Sequence, residues 1–465
     1  MRKLKKSLAF VAAMALAVTA FAGCTGKGGN KTPGESGKGW SNGGKVLNIY
    51  CWNDEFKKRF EEYYQKDNAK MLKGIQVKYT INPNEQGVYQ GKLDQALMQQ
   101  AYADKDKKID IFLVEADYAL KYVDSEISLT MKDIKVSDND LKDQYQYTKD
   151  LVTDKSGAIK GSSWQACPGL FAYRRDIAKE VLGTDDPNEI QKKLADWTQF
   201  DAVAAQMKAK GYFMLSGYDD AYRVYANNLS AKMVGEDGTL KLDPALETWA
   251  KNTKTYTDKG YTEKTSLWSD AWKAGMGGKG KVFGYFFSTW GINFSLDECS
   301  ADGAPAGERD GKGTNGKWAA CYGPQSYYWG GTWIMVARGT DNQKEVADII
   351  KVMTTDATVM EKNTRDTLDM TNNKPAMEKI AKDTSYKAKI LGGQNHIALF
   401  TEAAGKINME NVTAYDLAIT EEYQKAMKDW FDGKEVKTYE DALKNFYTNL
   451  KGRAPAIWTP ENKKQ

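Results

Sequence analysis

The chain has 465 residues and a formal net charge of +4, and four basic residues near its start, Arg2, Lys3, Lys5 and Lys6, account for that excess. The rest of the chain is therefore close to neutral, which argues against a nucleic-acid binder because such proteins carry a basic face. The single histidine, His396, excludes a metal site built from several imidazoles. We expect no metal, no cofactor and no catalytic residue.

The N-terminal segment, residues 1–23, has the layout of a secretory signal peptide, in which a basic start precedes the apolar residues 8–22. Small residues directly before Cys24 resemble a bacterial lipobox, so Cys24 is expected to be lipidated and to carry palmitate. A plain signal peptide or an uncleaved anchor helix is the alternative. Residues 24–45 are rich in Gly, Lys and Ser and are expected to be a flexible linker. The folded body would then lie at the extracytoplasmic face of the cell membrane.

The remaining residues are numerous enough for two domains. Strands are predicted at residues 46–50, 75–81 and 109–114 with helices between them, which is a βαβαβ unit. Ligands of such sheets bind outside the carboxyl ends of the strands. For each polar residue alone, helix capping or a place in a solvated turn is the alternative role. The candidate ligand-binding residues at these ends are Trp52, Asn53, Glu55, Glu115, Asp117 and Tyr118.

Residues 164–176 are predicted to carry the chain from one α/β lobe to another. Pro168 and Gly169 interrupt regular structure, residues 170–173 favour a strand, and Asp176 is expected to cap the next helix. Trp164 and Gln165 would then line the cleft between the lobes. An ordinary loop with a buried tryptophan is the alternative.

Strands of the second lobe are predicted at residues 212–215 and 281–287, and another strand at residues 334–337. Further ligand-binding candidates lie within or beside these strands or in a later segment expected beside the cleft. They are Tyr218, Asp219, Tyr285, Trp290, Trp329, Gly330 and His396. Near the end of the chain, Thr438 and Asp441 are expected to form a capping box for the last helix.

Cysteine use is low outside the N-terminal segment. Cys299 and Cys321 flank a Gly-rich loop, and a disulfide between them would close that loop in an oxidising compartment. Cys51 and Cys167 are expected to be buried thiols, with a second disulfide as the alternative.

Several short motifs occur in an informative order: WNDEF at residues 52–56, PG at 168–169, YRRDI at 173–177, FSTWG at 287–291, WGGTW at 329–333 and TNNKP at 371–375. Together they resemble the bacterial extracellular solute-binding proteins of family 1, the receptor lipoproteins of carbohydrate ABC importers. The resemblance implies a two-lobed, periplasmic-binding-protein-like α/β fold with a ligand cleft between lobes joined by crossover strands. The first lobe would hold residues 46–160 and 325–374, and the second residues 161–324 and 375–460.

The resemblance also implies roles for particular residues. Trp290 matches the main sugar-stacking aromatic, Glu115 and Asp117 match carboxylates that bind hydroxyls, and Tyr218 and Asp219 match a contact loop. His396 and Phe400 stand where relatives often carry another cleft aromatic.

These features predict an extracellular carbohydrate receptor, a monomer that passes a mono- or oligosaccharide to the permease subunits of an ABC importer. Aromatic planes and amide or carboxylate groups suit the C–H faces and hydroxyls of sugars. The leading alternative is a secreted glycoside hydrolase that uses Glu115 and Asp117 as its two carboxylates. A peptide receptor and a structural surface lipoprotein are the others.

Overall fold

The computed structural model describes residues 42–68, 70–84 and 87–459. The predicted signal peptide, Cys24 and nearly all of the linker lie outside these residues. Within the described part of the chain, the strands are β1 (Val46–Cys51), β2 (Gln76–Ile81), β3 (Ile111–Glu115), β4 (Gly161–Ser163), β5 (Gly169–Arg174), β6 (Leu215–Gly217), β7 (Thr262–Thr265), β8 (Gly284–Ser288), β9 (Trp318–Cys321) and β10 (Thr332–Val336).

The helices of the same residues are α1 (Glu55–Phe60), α2 (Val88–Met98), α3 (Leu120–Val123), α4 (Gln146–Asp150), α5 (Arg175–Leu182), α6 (Pro187–Lys193), α7 (Trp197–Ala209), α8 (Tyr222–Ala226), α9 (Pro244–Lys259), α10 (Asp270–Ala274), α11 (Thr289–Gly291), α12 (Glu298–Ser300), α13 (Gln343–Thr355), α14 (Ala357–Thr367), α15 (Lys374–Ala381), α16 (His396–Ala404), α17 (Asp416–Asp432) and α18 (Tyr439–Arg453). Glu61–Gln65 continues α1 as a π-helical turn, and Ile292–Asp297 joins α11 to α12 in the same way. A short 3₁₀ turn spans Lys389–Leu391.

The first sheet has the strand order β2-β1-β3-β10-β4. Strand β1 pairs in parallel with β2 and β3, whereas β10 runs antiparallel to both β3 and β4. The predicted βαβαβ unit is therefore confirmed. The continuous apolar run of β3 is buried up to Val114, as expected for a central strand covered on both faces.

The second lobe is built on an antiparallel sheet of order β8-β5-β9, beside a short parallel pair of β6 and β7. The strand predicted at residues 212–215 is displaced, because β6 begins only at Leu215. Phe213, inside the predicted range, makes a single bridge to Val282 instead. Two hydrophobic clusters pack against these sheets. One surrounds Ile49 and Ile334 and extends onto one face of the second sheet at Phe287, and the other surrounds Phe171 and Trp249. The residue boundaries predicted for the lobes stay a prediction.

The chain passes between the sheets through segments that bond to one another. Strand β4 of the first sheet leads to β5 of the second, and the backbone N–H of Ala166 donates to the Met370 carbonyl at 3.0 Å. The N–H of Asn372 donates in turn to the Trp164 carbonyl at 2.8 Å. The return segment before β10 is fixed by a 2.7 Å bond from the Gly169 N–H to the Tyr327 carbonyl. Residues 164–169 are thus a crossover, as predicted.

Helix capping follows the sequence in most places. The side chains of Asp186 and Asp243 accept N–H groups at the starts of α6 and α9, and Thr438 does so for α18. The prediction for Asp176 is wrong: it lies in the first turn of α5, where its carboxylate pairs with Arg174 at 2.7 Å.

The predicted disulfide is not formed, and Cys51, Cys167, Cys299 and Cys321 are all free thiols. Cys321 lies in β9 and packs into the second hydrophobic cluster, whereas Cys299 lies against the first cluster. The two sulfur atoms therefore belong to different packing environments. No helix among the described residues is both long and apolar enough to cross a bilayer.

Candidate functional site

A cleft of about 870 Å³ opens beside the carboxyl ends of β1 and β3. It is lined from the first sheet, from the crossover segments and from the second lobe. Seven of the predicted binding residues lie on its walls: Trp52, Asn53, Glu55, Glu115, Gln165, Trp290 and Gly330. The others that line it are Asp54, Lys58, Arg59, Glu62, Tyr63, Asn84, Trp268, Asn293, Phe294, Glu298, Arg309, Gly331, Thr332, Thr367 and Asp369.

The base of the cleft is a network of charged and amide groups. The Glu55 carboxylate accepts hydrogen bonds from the Arg59 guanidinium at 2.9 and 3.0 Å. The Gln165 amide donates to both Glu55, at 3.1 Å, and Asp369, at 2.9 Å. Asp369 also accepts from Arg59 at 3.0 Å and from the Thr289 hydroxyl. The network therefore joins helix α1, the crossover and the start of α11 in the second lobe.

Burial raises the pKa of Glu55, and the neighbouring Arg59 charge opposes that shift. Sequence reasoning found Glu55 and Gln165 but missed Arg59 and Asp369. Arg59 was detectable, because it lies four residues after Glu55 and therefore on the same helix face. Asp369 had no local signal.

One wall of the cleft presents Glu115 at the end of β3. Its carboxylate accepts from the Asn84 amide at 3.1 Å, and the Asn84 carbonyl oxygen is buried with no hydrogen-bond partner among the described residues. Burial, and then the nearby Asp117 charge, raise the pKa of Glu115 to about 7. The wall thus offers a carboxyl group that can either accept or donate a hydrogen bond at neutral pH.

Gly330 lets the return crossover pass close to this carboxyl. Its φ of 72° is in the left-handed region, and a Cβ there would lie 3.4 Å from Glu115 Oε1 and 3.3 Å from Trp290 Nε1. A side chain at this position would therefore be strained and would fill the space between the two walls.

The opposite wall is aromatic. Trp290 donates its Nε1–H to the Trp329 carbonyl at 2.9 Å, and its ring meets the Trp329 ring edge-on at 5.1 Å. Trp268 and Phe294 lie 6.0 and 6.3 Å from Trp290 and are 39% and 65% exposed. Sequence reasoning missed these two, because a loop tryptophan and an isolated phenylalanine carry no pattern. Trp329 supports Trp290 and is absent from the cleft lining.

The other predicted ligand-binding residues contact protein groups away from the cleft lining. Asp117 forms a bidentate ion pair with Arg223, at 2.7 and 2.5 Å, across the two lobes. Trp164 is fully buried against Phe56, and Tyr118 is buried beside Tyr122. None of the three predicted residues lines the cleft.

The same holds for four predicted residues of later segments. Tyr218 is buried and its hydroxyl bonds Asp432 at 2.5 Å, and Tyr285 bonds the Trp272 carbonyl at 3.1 Å inside the core. Asp219 lies off the lining, and burial raises its pKa to about 6. His396 is fully buried at the start of α16, 2.8 Å from the Leu368 carbonyl, and burial lowers its pKa to about 4, so the imidazole is neutral at physiological pH.

The arrangement fits a ligand with apolar ring faces and hydroxyl groups. The aromatic wall offers flat surfaces, and the facing wall and base offer acceptors and amide donors. Among the described residues no group of three His, Cys, Asp or Glu side chains is placed to hold a metal ion.

Comparison with known structures identifies the fold. An extracellular solute-binding protein of family 1 is similar with a TM-score of 0.70 and 19% identity, over 87% of this chain and 99% of that one. A binding protein associated with an ABC transporter of B. animalis subsp. lactis Bl-04, in complex with β-1,6-galactobiose, has a TM-score of 0.67 and 16% identity over 90% and 100%. The galacto-N-biose/lacto-N-biose I-binding protein of Bifidobacterium longum gives 0.65 and 14% over 89% and 98%. The predicted two-lobed α/β fold is confirmed.

No curated protein matches the chain in sequence. The profile of a bacterial protein family does match, over residues 58–391, which is well over half of the chain. That family carries the description bacterial extracellular solute-binding protein, and the matched segment contains most of the cleft residues. On this ground the chain belongs to the bacterial extracellular solute-binding protein family.

Proposed function

We propose that the protein is an extracytoplasmic carbohydrate receptor that binds an oligosaccharide in the cleft and delivers it to an ABC importer. The observation that carries the proposal is the pairing of an aromatic wall, Trp268, Trp290 and Phe294, with the polar wall at Asn84 and Glu115. A pyranose ring needs both, because its C–H faces pack on aromatic planes while its hydroxyls need donors and acceptors. Family membership and the sugar complexes of similar folds support the same ligand class.

Binding by closure suits this architecture. Crossover segments join the lobes, and the base network spans both of them through Gln165, Asp369 and Thr289. A ligand that contacts both walls favours the closed arrangement, as expected for a hinge-bending receptor.

The hydrolase alternative needs a second carboxylate beside Glu115. The residue suggested for that role, Asp117, is held by Arg223 instead and lies off the cleft lining. The carboxylate pair that the sequence suggested is therefore not assembled in the cleft. Incubation of the protein with oligosaccharides tests the hydrolase alternative, and the appearance of shorter products would favour the hydrolase.

The tether is part of the proposal. A lipid on Cys24 and the linker after it would hold the receptor, which we propose to be a monomer, close to the permease at the outer face of the membrane. Replacing Cys24 with Ala should move the protein from the membrane fraction to the medium.

Calorimetry against a panel of mono- and oligosaccharides tests the main proposal. Trp290→Ala should weaken binding of the best ligand by about 1–3 kcal/mol, the range found for stacking on aromatic side chains. Trp458→Ala is the matched control, since Trp458 is 53% exposed and outside the cleft lining. Absence of binding to any sugar would refute the proposed function.

A further inference from the structure

The cleft does not end at the strand ends. On the first-lobe side its lining continues along α1 and the turn after it, through Glu55, Arg59 and Glu62. On the second-lobe side it continues along residues 289–300, through Trp290, Phe294 and Glu298. Arg59 and Glu62 lie four and seven residues after Glu55, and Phe294 and Glu298 lie four and eight residues after Trp290, so each set lies along one face of its helical segment. Two helical faces, one from each lobe, therefore oppose each other across the cleft.

The length of this continuation follows from helix geometry. From Glu55 to Glu62 is seven residues, which at 1.5 Å per residue extends the cleft by about 10 Å. We call this part the outer channel and define it by Lys58, Glu62, Phe294, Glu298 and Arg309. The part at the strand ends, with Trp52, Asn84, Glu115 and Trp290, is the inner site.

The outer channel contains an exposed ring. Phe294 is 65% exposed although it lies only 6.3 Å from the Trp290 ring, so the aromatic wall of the inner site continues outward. An exposed phenylalanine on a cleft wall loses contact with water when an apolar ligand face covers it, which favours such a ligand.

The charges of the outer channel are paired within the protein. Arg309 lies 3.0 Å from Asp297 and 3.6 Å from Glu298, Lys58 lies 2.8 Å from Asp54, and Glu62 contacts Lys66 and Lys362. Each basic residue of the channel already has a carboxylate neighbour within the protein, which disfavours a ligand carboxylate or phosphate at the same position. The channel therefore suits a neutral ligand with hydroxyl groups.

Arg309 is supplied by the Gly-rich segment between Cys299 and Cys321. That segment is fastened to the helical region 289–300, because Asn315 donates to Asp297 at 2.8 Å and the Thr314 N–H donates to the Ser300 carbonyl at 2.8 Å. The segment is thus a built part of the cleft wall.

We propose that the outer channel is a second sugar-binding region, so that the preferred ligand is a linear, neutral oligosaccharide with more units than the inner site holds. This inference rests on the proposed carbohydrate function. Phe294 would stack on a distal unit, and the Arg309–Glu298 pair would bond its hydroxyls.

The test is calorimetry of the purified protein with neutral gluco-, galacto-, manno- and xylo-oligosaccharides of two to six units, and with the matching uronic-acid series. Affinity should rise with length within the series that binds. Phe294→Ala should weaken the longest bound oligosaccharide about tenfold and leave the two-unit ligand unchanged. Arg309→Gln should also weaken binding of the longest oligosaccharide and leave binding of the two-unit ligand unchanged. Unchanged binding of the two-unit ligand also shows that each variant is folded.

Tyr102→Ala and Arg338→Gln are the matched controls, because Tyr102 is 84% exposed and Arg338 is an exposed arginine, both outside the cleft lining. Affinity that is independent of length, a Phe294→Ala loss that is equal for short and long ligands, or a preference for the uronic-acid series would overturn the inference while leaving the carbohydrate function intact. If no sugar of any length binds, the proposed carbohydrate function is itself refuted, and the inference about the outer channel is refuted with it.

Discussion

The ion pair between Asp117 and Arg223 allows a quantitative test of how the two lobes are held together. Asp117 follows β3 of the first sheet, and Arg223 lies on α8 in the second lobe. The two side chains are 7% and 17% exposed and meet through two parallel hydrogen bonds. Removing one partner of a pair this well buried leaves an uncompensated charge, which costs about 3–5 kcal/mol.

We therefore predict that Asp117→Asn lowers the free energy of unfolding by about 3 kcal/mol. The double variant Asp117→Asn/Arg223→Gln should recover part of that loss, because neither charge is then stranded. The free energy of unfolding is measured by urea denaturation, followed by tryptophan fluorescence, for the wild type, Asp117→Asn, Arg223→Gln and the double variant.

The chain contains a matched control. Arg338 and Glu126 form an arginine–carboxylate pair at 2.8 Å, yet the side chains are 47% and 91% exposed. Glu126→Gln should change stability by less than about 1 kcal/mol, because water screens an exposed pair. Equal effects of Asp117→Asn and Glu126→Gln, or simple additivity in the Asp117–Arg223 cycle, would refute the reasoning.

Two further predictions concern Glu115 and the crossover glycine Gly169. Because the pKa of Glu115 rises from an ordinary 4.5 to about 7 on folding, the native state loses stability as pH rises through this window. Glu115→Gln should therefore match the wild type near pH 4.5 and exceed it by up to about 3 kcal/mol at pH 8, at 1.36 kcal/mol per pH unit; a pH-independent difference in urea titrations would contradict this. Gly169→Ala should destabilise by at least about 1–3 kcal/mol, since its Cβ would lie 2.2 Å from the buried Tyr327 ring. Gly452→Ala, in helix α18 with open space around it, should stabilise by about 0.5–1 kcal/mol, and equal thermal shifts for the two would contradict the packing argument.

The sequence predicted the first sheet well, because its information is local. Hydrophobic runs marked β1 and β3, and the residues that follow them, Trp52 and Glu115, lie on the cleft as parallel-strand geometry requires. The crossover at Gln165 was detectable because Pro168 and Gly169 interrupt regular structure.

Other features depend on tertiary contacts that no local pattern carries. Asp117 has the same local context as Glu115, but Arg223, 106 residues away, removes it from the cleft lining. Asp369 reaches the base of the cleft through a bond to Gln165 that spans 204 residues. A sequence pattern gives the residue types near a strand end, and only the packed fold determines which of them face the ligand.

The unbonded cysteines have a consequence for where the protein can work. Burial raises the pKa of Cys51 and Cys321 to about 12, and it raises that of Cys167 as well, so these sulfurs stay protonated and poorly reactive at neutral pH. No disulfide joins the cysteines of the described residues, so this part of the fold does not depend on thiol oxidation. We expect it to keep its shape in a strongly reducing, oxygen-free habitat as well as in an aerated one.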